Sequence, residues 1–424
     1  MIKKILLILI IFSVCLPNTF LGAQEHFDTD SIPSLKTLAE ARGKYIGTAV
    51  DIRSLKYDPE CSQVLADQFN VITPANALKF DATEPGRNIF SFKDADAILN
   101  FATIHNMKMR GHTLVWYLQI PSWLAKGKHS KEDLKEILHN HIKSVVGRYK
   151  GKIYSWDVVN EAFQSNGTLR RNVWLNNIGA EYIELAFRWA HEADPNALLF
   201  YNEDGIEMRN KKSDAVYELI KKLKAKGVPI DGIGFEGHFD LAPEGTMKNM
   251  AANIKRFAEL GLETDFTEVD VTLAENILRK KFYKIIPNGK NILDALIQKK
   301  ILLDISLTKV RLRYHINNIE NAVRNIAGED FDKVWAILKQ SYINSPTINK
   351  EKKLEKQAKI FNDVCTVCLN NPSCKIIIFW GFTDKHSWLR RFHNDDAPLI
   401  LDQQYHPKPA YYKIIKAFQN KESN

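Results

Sequence analysis

Eight short apolar runs that alternate with longer segments of helical periodicity constrain the fold of this chain more than any other feature. Strands that alternate with helices are typical of parallel βαβ units, and eight units predict a closed (β/α)8 barrel. The pattern alone also permits a doubly wound open sheet. The predicted strands are Tyr45–Val50, Asn70–Thr73, Lys108–Trp116, Ile153–Val159, Ala197–Tyr201, Gly232–Phe235, Glu263–Val269 and Lys375–Trp380. The predicted helices include Ala95–His105, Lys131–Tyr149, Glu181–Ala193, Lys211–Lys226 and Met247–Leu260.

One region between the seventh and eighth predicted strands departs from this alternation. Residues 274–356 form a segment far longer than a βα loop of a barrel. We predict that it is an inserted subdomain at the mouth of the barrel. It is also basic, since residues 273–356 hold 17 Lys and Arg against 9 Asp and Glu in a chain of formal net charge +9. A basic face that attracts an acidic polysaccharide suits an exported protein better than nucleic-acid binding, so no nucleic-acid partner is expected.

The first 23 residues are predicted to be a secretory signal peptide that is not part of the fold. Lys3 and Lys4 precede an apolar run from Ile5 to Leu16, and small residues follow near Ala23. The run is too short to span a bilayer as a permanent anchor. We therefore expect a secreted protein, extracellular or periplasmic, with no stable membrane anchor.

In an exported protein the cysteines can form stable disulfides, because disulfides persist in oxidising compartments. Three of them, Cys365, Cys368 and Cys374, lie in CTVCLNNPSC, where Asn-Asn-Pro favours a turn. The pattern permits a disulfide across this turn. A zinc site is the alternative, although no histidine lies nearby in the sequence to complete it.

Polar side chains recur where the predicted strands end, which is the edge at which barrels build active sites. Asn160 and Glu161 end the fourth strand in WDVVNEA, and Glu268 and Asp270 share one face of the seventh. Two carboxylates on one face repel, and His238, after the sixth strand, is placed to lie between them. A helix N-cap for Glu161 and a core position for His238 are the alternatives. Further residues at these strand ends are His112, Trp116, Asn202 and Trp380.

Two carboxylates at a barrel mouth suit glycoside hydrolysis. One must be protonated at the working pH to assist the leaving oxygen, and the other must be ionised to attack the anomeric carbon. Apolar surroundings and the negative charge of Glu268 would raise the pKa of Glu161. The residues therefore predict a glycosidase with Glu161 as the proton donor.

Several motifs follow one another along the chain: FNVITPANALKFDATEP, MRGHTLVWYLQIPSW, WDVVNEA, GIGFEGH, FTEVDV, WGFTDKHSW and YHPKPAYY. Together they resemble glycoside hydrolase family 10, the endo-β-1,4-xylanases. The resemblance runs from about Leu35 to Phe418 and omits the long insertion. It implies a secreted retaining endo-1,4-β-xylanase on a (β/α)8 TIM barrel over residues 24–424, with an insertion after strand 7. Xylan or xylo-oligosaccharides would be its substrates, and it would act as a monomer without a metal or other cofactor.

The resemblance also implies a role for each site residue. Glu161 would be the general acid/base, Glu268 the nucleophile, and Asn160 a ligand of the sugar 2-hydroxyl. His238, oriented by Asp270, would flank the nucleophile together with His112. The implied substrate-binding residues are Asn76, Lys79, Trp116, Gln119, Glu236, Trp380 and Trp388. Cys368 and Cys374 would form a disulfide, which leaves Cys61 and Cys365 unpaired.

Three single positions and one short segment depart from the family pattern. Ala75 stands where members have Glu, Tyr117 stands where they have His, and Glu236 stands where they have Gln. The segment 202–205 reads Asn-Glu-Asp-Gly, against Asn-Asp-Tyr-Asn in the family. We expect one hydrogen bond to a distal xylose to be missing, and a third acid near the site. These departures leave open a related barrel β-1,4-glycanase of other specificity. A non-catalytic xylan-binding protein is a further alternative, against which the intact Glu161, Glu268, Asn160 and His238 argue.

Overall fold

The computed structural model describes residues 33–241, 245–273, 320–321, 323–338, 350–391 and 396–420. The predicted signal peptide and most of the predicted insertion lie outside these residues. The strands are β1 Tyr45–Val50, β2 Val71–Pro74, β3 Lys108–Val115, β4 Ser155–Asn160, β5 Leu198–Glu203, β6 Gly232–Phe235, β7 His238–Phe239, β8 Glu263–Val271 and β9 Ile376–Phe379. The α-helices are α1 Leu35–Glu40, α2 Ile52–Tyr57, α3 Pro59–Gln68, α4 Phe80–Thr83, α5 Lys93–Ile104, α6 Ser122–Lys126, α7 Lys131–Arg148, α8 Val173–Asn177, α9 Glu181–Ala193, α10 Lys211–Ala225, α11 Met247–Ala258, α12 Phe331–Leu338, α13 Lys350–Leu369 and α14 Pro409–Gln419.

Eight of the strands form a closed parallel barrel. The hydrogen-bonded order runs from β6 through β5, β4, β3, β2, β1 and β9 to β8, and β6 also pairs with β8. Gly232 pairs with Glu263 in that last ladder, and Tyr45 pairs with Ile376 where β1 meets β9. The (β/α)8 prediction is therefore confirmed, and the open-sheet alternative is wrong because neither edge is free. The bounds of the barrel strands differ from the predicted ones by at most two residues.

The sequence patterns explain why these segments fold as they do. All four residues of β9, Ile-Ile-Ile-Phe, are buried, as expected for a parallel strand that is covered on both faces. In α11, Met250, Ile254 and Phe257 recur at helical spacing and are buried against the barrel side. Thr246 begins this helix, since its hydroxyl accepts a hydrogen bond from the Asn249 N–H at 3.2 Å. Among the described residues, no helix has both the length and the apolar composition needed to cross a membrane.

The C-terminal part of the chain completes the barrel wall. Helix α13 begins at Lys350, so the last residues of the predicted insertion, 350–356, form its first turns. Further along α13, the Gln357 side chain donates to the carbonyl of Val271 at the end of β8 (2.8 Å). The remainder of the insertion, and its folding as a subdomain, stays a prediction.

A short disulfide loop connects α13 to β9. Cys368 and Cys374 are joined across the Asn-Asn-Pro turn, which is the pairing that the family resemblance implied. Cys61 and Cys365 are buried free thiols. The disulfide closes a loop of only a few residues. It links the end of α13 to the start of the adjacent barrel strand, β9.

A buried ion network lies inside the barrel. The guanidinium of Arg110 on β3 is fully buried and donates through Nε to Asp157 on β4 at 3.1 Å and through a terminal nitrogen at 2.5 Å. Its other terminal nitrogen lies 3.7 Å from Asp265 on β8. Asp157 in turn bonds the Nδ1 of His112 at 3.1 Å. The network therefore joins three strands and extends to a residue of the predicted site.

Replacing Arg110 with methionine should lower the free energy of unfolding by about 3–5 kcal/mol, because two buried carboxylates lose their countercharge. Urea unfolding followed by circular dichroism measures this change. The control is Arg188→Met, which removes an exposed ion pair with Glu184 on α9 and should cost only about 0–1 kcal/mol. Equal losses in the two variants would contradict a structural role for the Arg110 network.

Candidate active site

The predicted catalytic residues lie at the carboxyl ends of the barrel strands. Glu161 directly follows β4, and Glu268 lies near the end of β8. The backbone of Glu161 has φ +51°, in the left-handed region that side chains other than glycine adopt rarely. Two contacts hold it there: its N–H donates to the carbonyl of Asn202 (3.0 Å), and Arg170 Nε donates to its carbonyl (3.1 Å). The turn after β4 is therefore held in the position from which the Glu161 side chain enters the site.

Hydrogen-bond donors surround the carboxylate of Glu268, which is 5% exposed. Its Oε1 accepts from Nδ2 of Asn202 at 2.9 Å, and its Oε2 lies 3.2 Å from Nε2 of His238. Nδ1 of His112 is 3.6 Å from Oε1. Asn202 and His238 therefore hold the carboxyl group of Glu268 in a fixed orientation, as a nucleophile requires.

The imidazole of His238 lies between the two carboxylates of β8. Its Nδ1 contacts Oδ1 of Asp270 at 2.9 Å, and the other oxygen of Asp270 accepts a hydrogen bond from Nε1 of Trp388 at 2.8 Å. Burial opposes a charge on the ring, but the carboxylates of Asp270 and Glu268 raise the pKa of His238 well above its ordinary value. A charged His238 would stabilise the ionised form of Glu268.

Glu161 is in a different environment. Burial, followed by the negative charges of Asp204, Glu203 and Glu268, raises its pKa to about 8. Glu203 is itself held by the hydroxyl of Tyr201 at 2.6 Å and by the ammonium of Lys212 at 2.8 Å. Lys212 also binds Asp204, so the two acids remain close to Glu161. Glu161 therefore carries a proton at neutral pH, which is what a general acid requires.

The amide of Asn202, inside β5, links the acids of the site. Its Nδ2 lies 2.8 Å from Oδ1 of Asn160, 2.9 Å from Oε1 of Glu268 and 3.2 Å from Oε1 of Glu236, so its two hydrogens are shared among three acceptors. Its Oδ1 accepts from the hydroxyl of Thr267 at 2.6 Å. A β-carbon at Gly234 would lie 2.0 Å from this oxygen, so the amide fits only because that residue is a glycine.

Glu236, the third acid expected from the sequence, is 1% exposed. Burial, together with the charges of Glu268 and Glu161, raises its pKa well above the ordinary value. Its Oε2 lies 3.6 Å from Nε2 of His238. The structure therefore places the third acid of the site, Glu236, beside His238 and the nucleophile.

Aromatic rings form one wall of the site. The ring of Trp380 is 5.0 Å from that of His112, and the ring of Trp388 is 5.5 Å from that of His238. These two tryptophans also line a cleft of about 490 Å³ that extends to Ala75. Flat apolar rings beside a row of polar groups suit the faces and hydroxyls of sugars.

The predicted distal binding residues lie along and beside this cleft. The ammonium of Lys79 lies 4.7 Å above the ring of Trp116 and 3.4 Å from Oδ1 of Asn76. Asn76 lines the cleft and donates to Oδ2 of Asp51 at 3.1 Å. Gln119 has φ +49°, and its carbonyl accepts from the N–H of Asp81 at 3.0 Å. The structure thus brings Asn76, Lys79 and Trp116 together and anchors the backbone of Gln119 in the adjoining loop.

The family model of glycosyl hydrolase family 10 matches residues 34–417. This chain belongs to that family. It is 35% identical over 404 residues to endo-1,4-beta-xylanase B of Thermotoga neapolitana, across 95% of this chain and 96% of that protein. Its fold is similar to native xylanase 10B from Thermotoga maritima, with 36% identity, a TM-score of 0.72, and coverage of 91% of this chain and 98% of that one. Xylanase 10B from Thermotoga petrophila RKU-1 in complex with xylobiose has the same identity and TM-score, with coverage of 91% and 97%.

Three residues of this family 10 site carry contacts that the sequence alone did not assign to them. Asn202 was visible only as a polar residue at a strand end, yet it contacts three other site residues. Asp157 interrupts the apolar run of β4, and this was the available signal for the ion network behind His112. Nothing in the sequence indicated a role for Lys212, in the first turn of α10, because a lysine on a helix is usually a surface residue.

Proposed function

We propose that this protein is a secreted endo-1,4-β-xylanase that hydrolyses internal bonds of xylan by double displacement with retention. The observation that carries the proposal is the contrast between two carboxyls at one barrel mouth. Glu161 has a pKa raised to about 8, whereas Glu268 is surrounded by the donors Asn202 and His238. Relatives named as xylanases, one of them solved with xylobiose, support the substrate. Secretion rests on the sequence of residues 1–23, and we propose a monomer that requires no metal or organic cofactor.

In the first step, Glu161 gives its proton to the oxygen of the glycosidic bond as Glu268 attacks the anomeric carbon. A bond forms between Glu268 and that carbon, and the bond to the leaving xylose unit breaks. The amide of Asn160, which lies 3.3 Å from Oε1 of Glu161, donates to the sugar 2-hydroxyl beside the reacting centre. His238 and Asn202 remain bonded to the carboxyl group of Glu268 and keep it aligned for attack.

In the second step, Glu161 acts as a base. Once Glu268 is esterified, it no longer carries the negative charge that helps to raise the pKa of Glu161. The pKa of Glu161 therefore falls, and the carboxylate can take a proton from the water that attacks the anomeric carbon. The ester bond breaks, and both acids return to their starting forms.

The decisive experiment is product analysis from purified glucuronoxylan, with the anomeric configuration of the first product read by proton NMR. Xylo-oligosaccharides released with the β configuration support the proposed substrate and the retaining reaction, and an α product contradicts retention. Cello-oligosaccharides and mixed-linkage β-glucan serve as comparison substrates. Hydrolysis of these instead of xylan would establish a related β-1,4-glycanase, and xylan binding without any product would establish a binding protein.

The pH dependence of kcat/KM should fall above pH about 8, where free Glu161 loses its proton. Asp204→Asn removes the carboxylate that acts most strongly on Glu161, so this alkaline limb should move to lower pH. The control is Asp214→Asn, which removes the same charge at an exposed position on α10 paired with Arg256. Identical alkaline limbs in the Asp204 variant and the unmodified chain would contradict this origin of the shift.

A further inference from the structure

Three side chains of the site present ligand atoms to one another in the geometry of a metal site. The atoms from Glu236, His238 and Glu268 all lie within 4.8 Å of one another. Nε2 of His238 is 3.2 Å from Oε2 of Glu268 and 3.6 Å from Oε2 of Glu236. In a tetrahedral zinc site with bonds of about 2.0–2.1 Å, neighbouring ligand atoms are about 3.3 Å apart. The two distances from His238 are close to that spacing, so these three atoms can converge on one ion.

Neighbouring groups hold each ligand in this orientation. Asn202 contacts the Oε1 atoms of both Glu268 and Glu236, at 2.9 Å and 3.2 Å, so the Oε2 atoms of both acids face Nε2 of His238. Asp270 holds Nδ1 of His238 at 2.9 Å, so Nε2 is the nitrogen that faces the two carboxyls. A histidine that binds a metal through one nitrogen and a carboxylate through the other is a recurrent arrangement in metalloproteins. The supports of a metal site are thus already in place.

The charge and exposure of the three residues also suit a divalent ion. Metal binding would displace the protons from Nε2 of His238 and from the carboxyl groups, and the two carboxylates would then neutralise the ion. Imidazole with carboxylates is a ligand set that zinc prefers. Glu236 and Glu268 are buried, whereas the side chain of His238 is 24% exposed, so the group can be reached from solvent. Three protein ligands leave a fourth position for water.

We propose that Oε2 of Glu236, Nε2 of His238 and Oε2 of Glu268 bind a divalent transition metal ion such as Zn²⁺, and that the ion inhibits the enzyme. Inhibition follows because the bound ion occupies the carboxylate that attacks the anomeric carbon. This second part rests on the proposed function, whereas metal binding does not. The proposed reaction requires no metal, so the ion would act as a reversible inhibitor of this chain.

Glu236 is the residue that distinguishes this site from an ordinary hydrogen-bonded cluster. An amide at this position keeps the shape and can still bond to Asn202, but it offers a neutral and weaker ligand oxygen. Glu236→Gln therefore removes one ligand with the smallest change in packing.

Calorimetric titration of the purified chain with ZnCl2 at pH 7.5 tests binding directly. We expect one ion per chain, and an affinity at least about 100-fold weaker in Glu236→Gln and in Glu268→Gln. The control is His406→Gln, which alters an exposed histidine 3.3 Å from Asp402 and should leave the titration unchanged. Absence of Zn²⁺ uptake by the unmodified chain, or equal affinity in Glu236→Gln, would overturn the proposal. Circular dichroism spectra establish that each variant is folded.

Xylan hydrolysis with and without Zn²⁺ tests the inhibition. The unmodified chain should lose activity in proportion to the occupancy measured by calorimetry and regain it with EDTA. The residual activity of Glu236→Gln should be insensitive to the same Zn²⁺ concentration. Equal fractional inhibition of both proteins would contradict the site. If the unmodified chain hydrolyses no xylan, the proposed function fails while the calorimetric result still decides the metal site.

Discussion

Replacing Glu268 with alanine should lower kcat on xylan by at least about 10⁴-fold, because the covalent intermediate can no longer form. The fold should survive this change. His238 keeps its contact with Asp270, and Asn202 keeps those with Asn160 and Thr267. Release of xylo-oligosaccharides, quantified by chromatography at saturating xylan, measures the loss.

A matched control and a chemical rescue make this result specific. Glu263 lies at the opposite end of the same strand, so Glu263→Ala should retain activity within about threefold. Azide can enter the space left in Glu268→Ala and attack an activated aryl β-glycoside, which gives a product of α configuration. If Glu268→Ala kept more than about one hundredth of the activity, or if azide gave a β product, the nucleophile would be another residue.

Replacing Glu161 with alanine should lower kcat/KM on xylan by about 10²–10⁴-fold, and the size of the loss should depend on the leaving group. A xylose hydroxyl leaves only with a proton, whereas a dinitrophenolate leaves without one. The variant should therefore form the covalent intermediate rapidly from a dinitrophenyl xylobioside and hydrolyse it slowly, because Glu161 no longer activates water. A burst of dinitrophenolate in stopped-flow absorbance would show this accumulation.

The pH profile and the nucleophile variant complete this test. Glu161→Ala should lose the alkaline limb of the kcat/KM profile, since the group whose pKa is raised to about 8 is absent. Glu268→Ala should react with neither substrate and give no burst. Equal losses of Glu161→Ala on xylan and on the dinitrophenyl substrate would show that Glu161 is not the proton donor.

The barrel was predictable because burial leaves a periodic signal in a chain. Strands covered on both faces must be nearly continuous apolar runs, and β9 consists of four buried residues for this reason. Amphipathic spacing marked helices such as α9, whose predicted bounds, Glu181–Ala193, match the structure. The short strand β7 had no such signal, since two residues are too few to show a period. The structure of most of residues 274–356 stays open.

The sequence by itself determined the family, the succession of strands and helices, and the candidate positions of Glu161 and Glu268, because local burial patterns and ordered motifs are properties of contiguous residues. The tertiary structure decided between a closed barrel and a doubly wound sheet, which the pattern alone left open. Only the tertiary structure decided the electrostatics of the site. Asp204 is distant from Glu161 in sequence, yet its charge helps to raise the pKa of that acid. Glu236 reads as a single departure from a motif, but the fold sets its Oε2 atom 3.6 Å from His238. Charges act through distance in space, and the barrel brings together strand ends that are far apart along the chain.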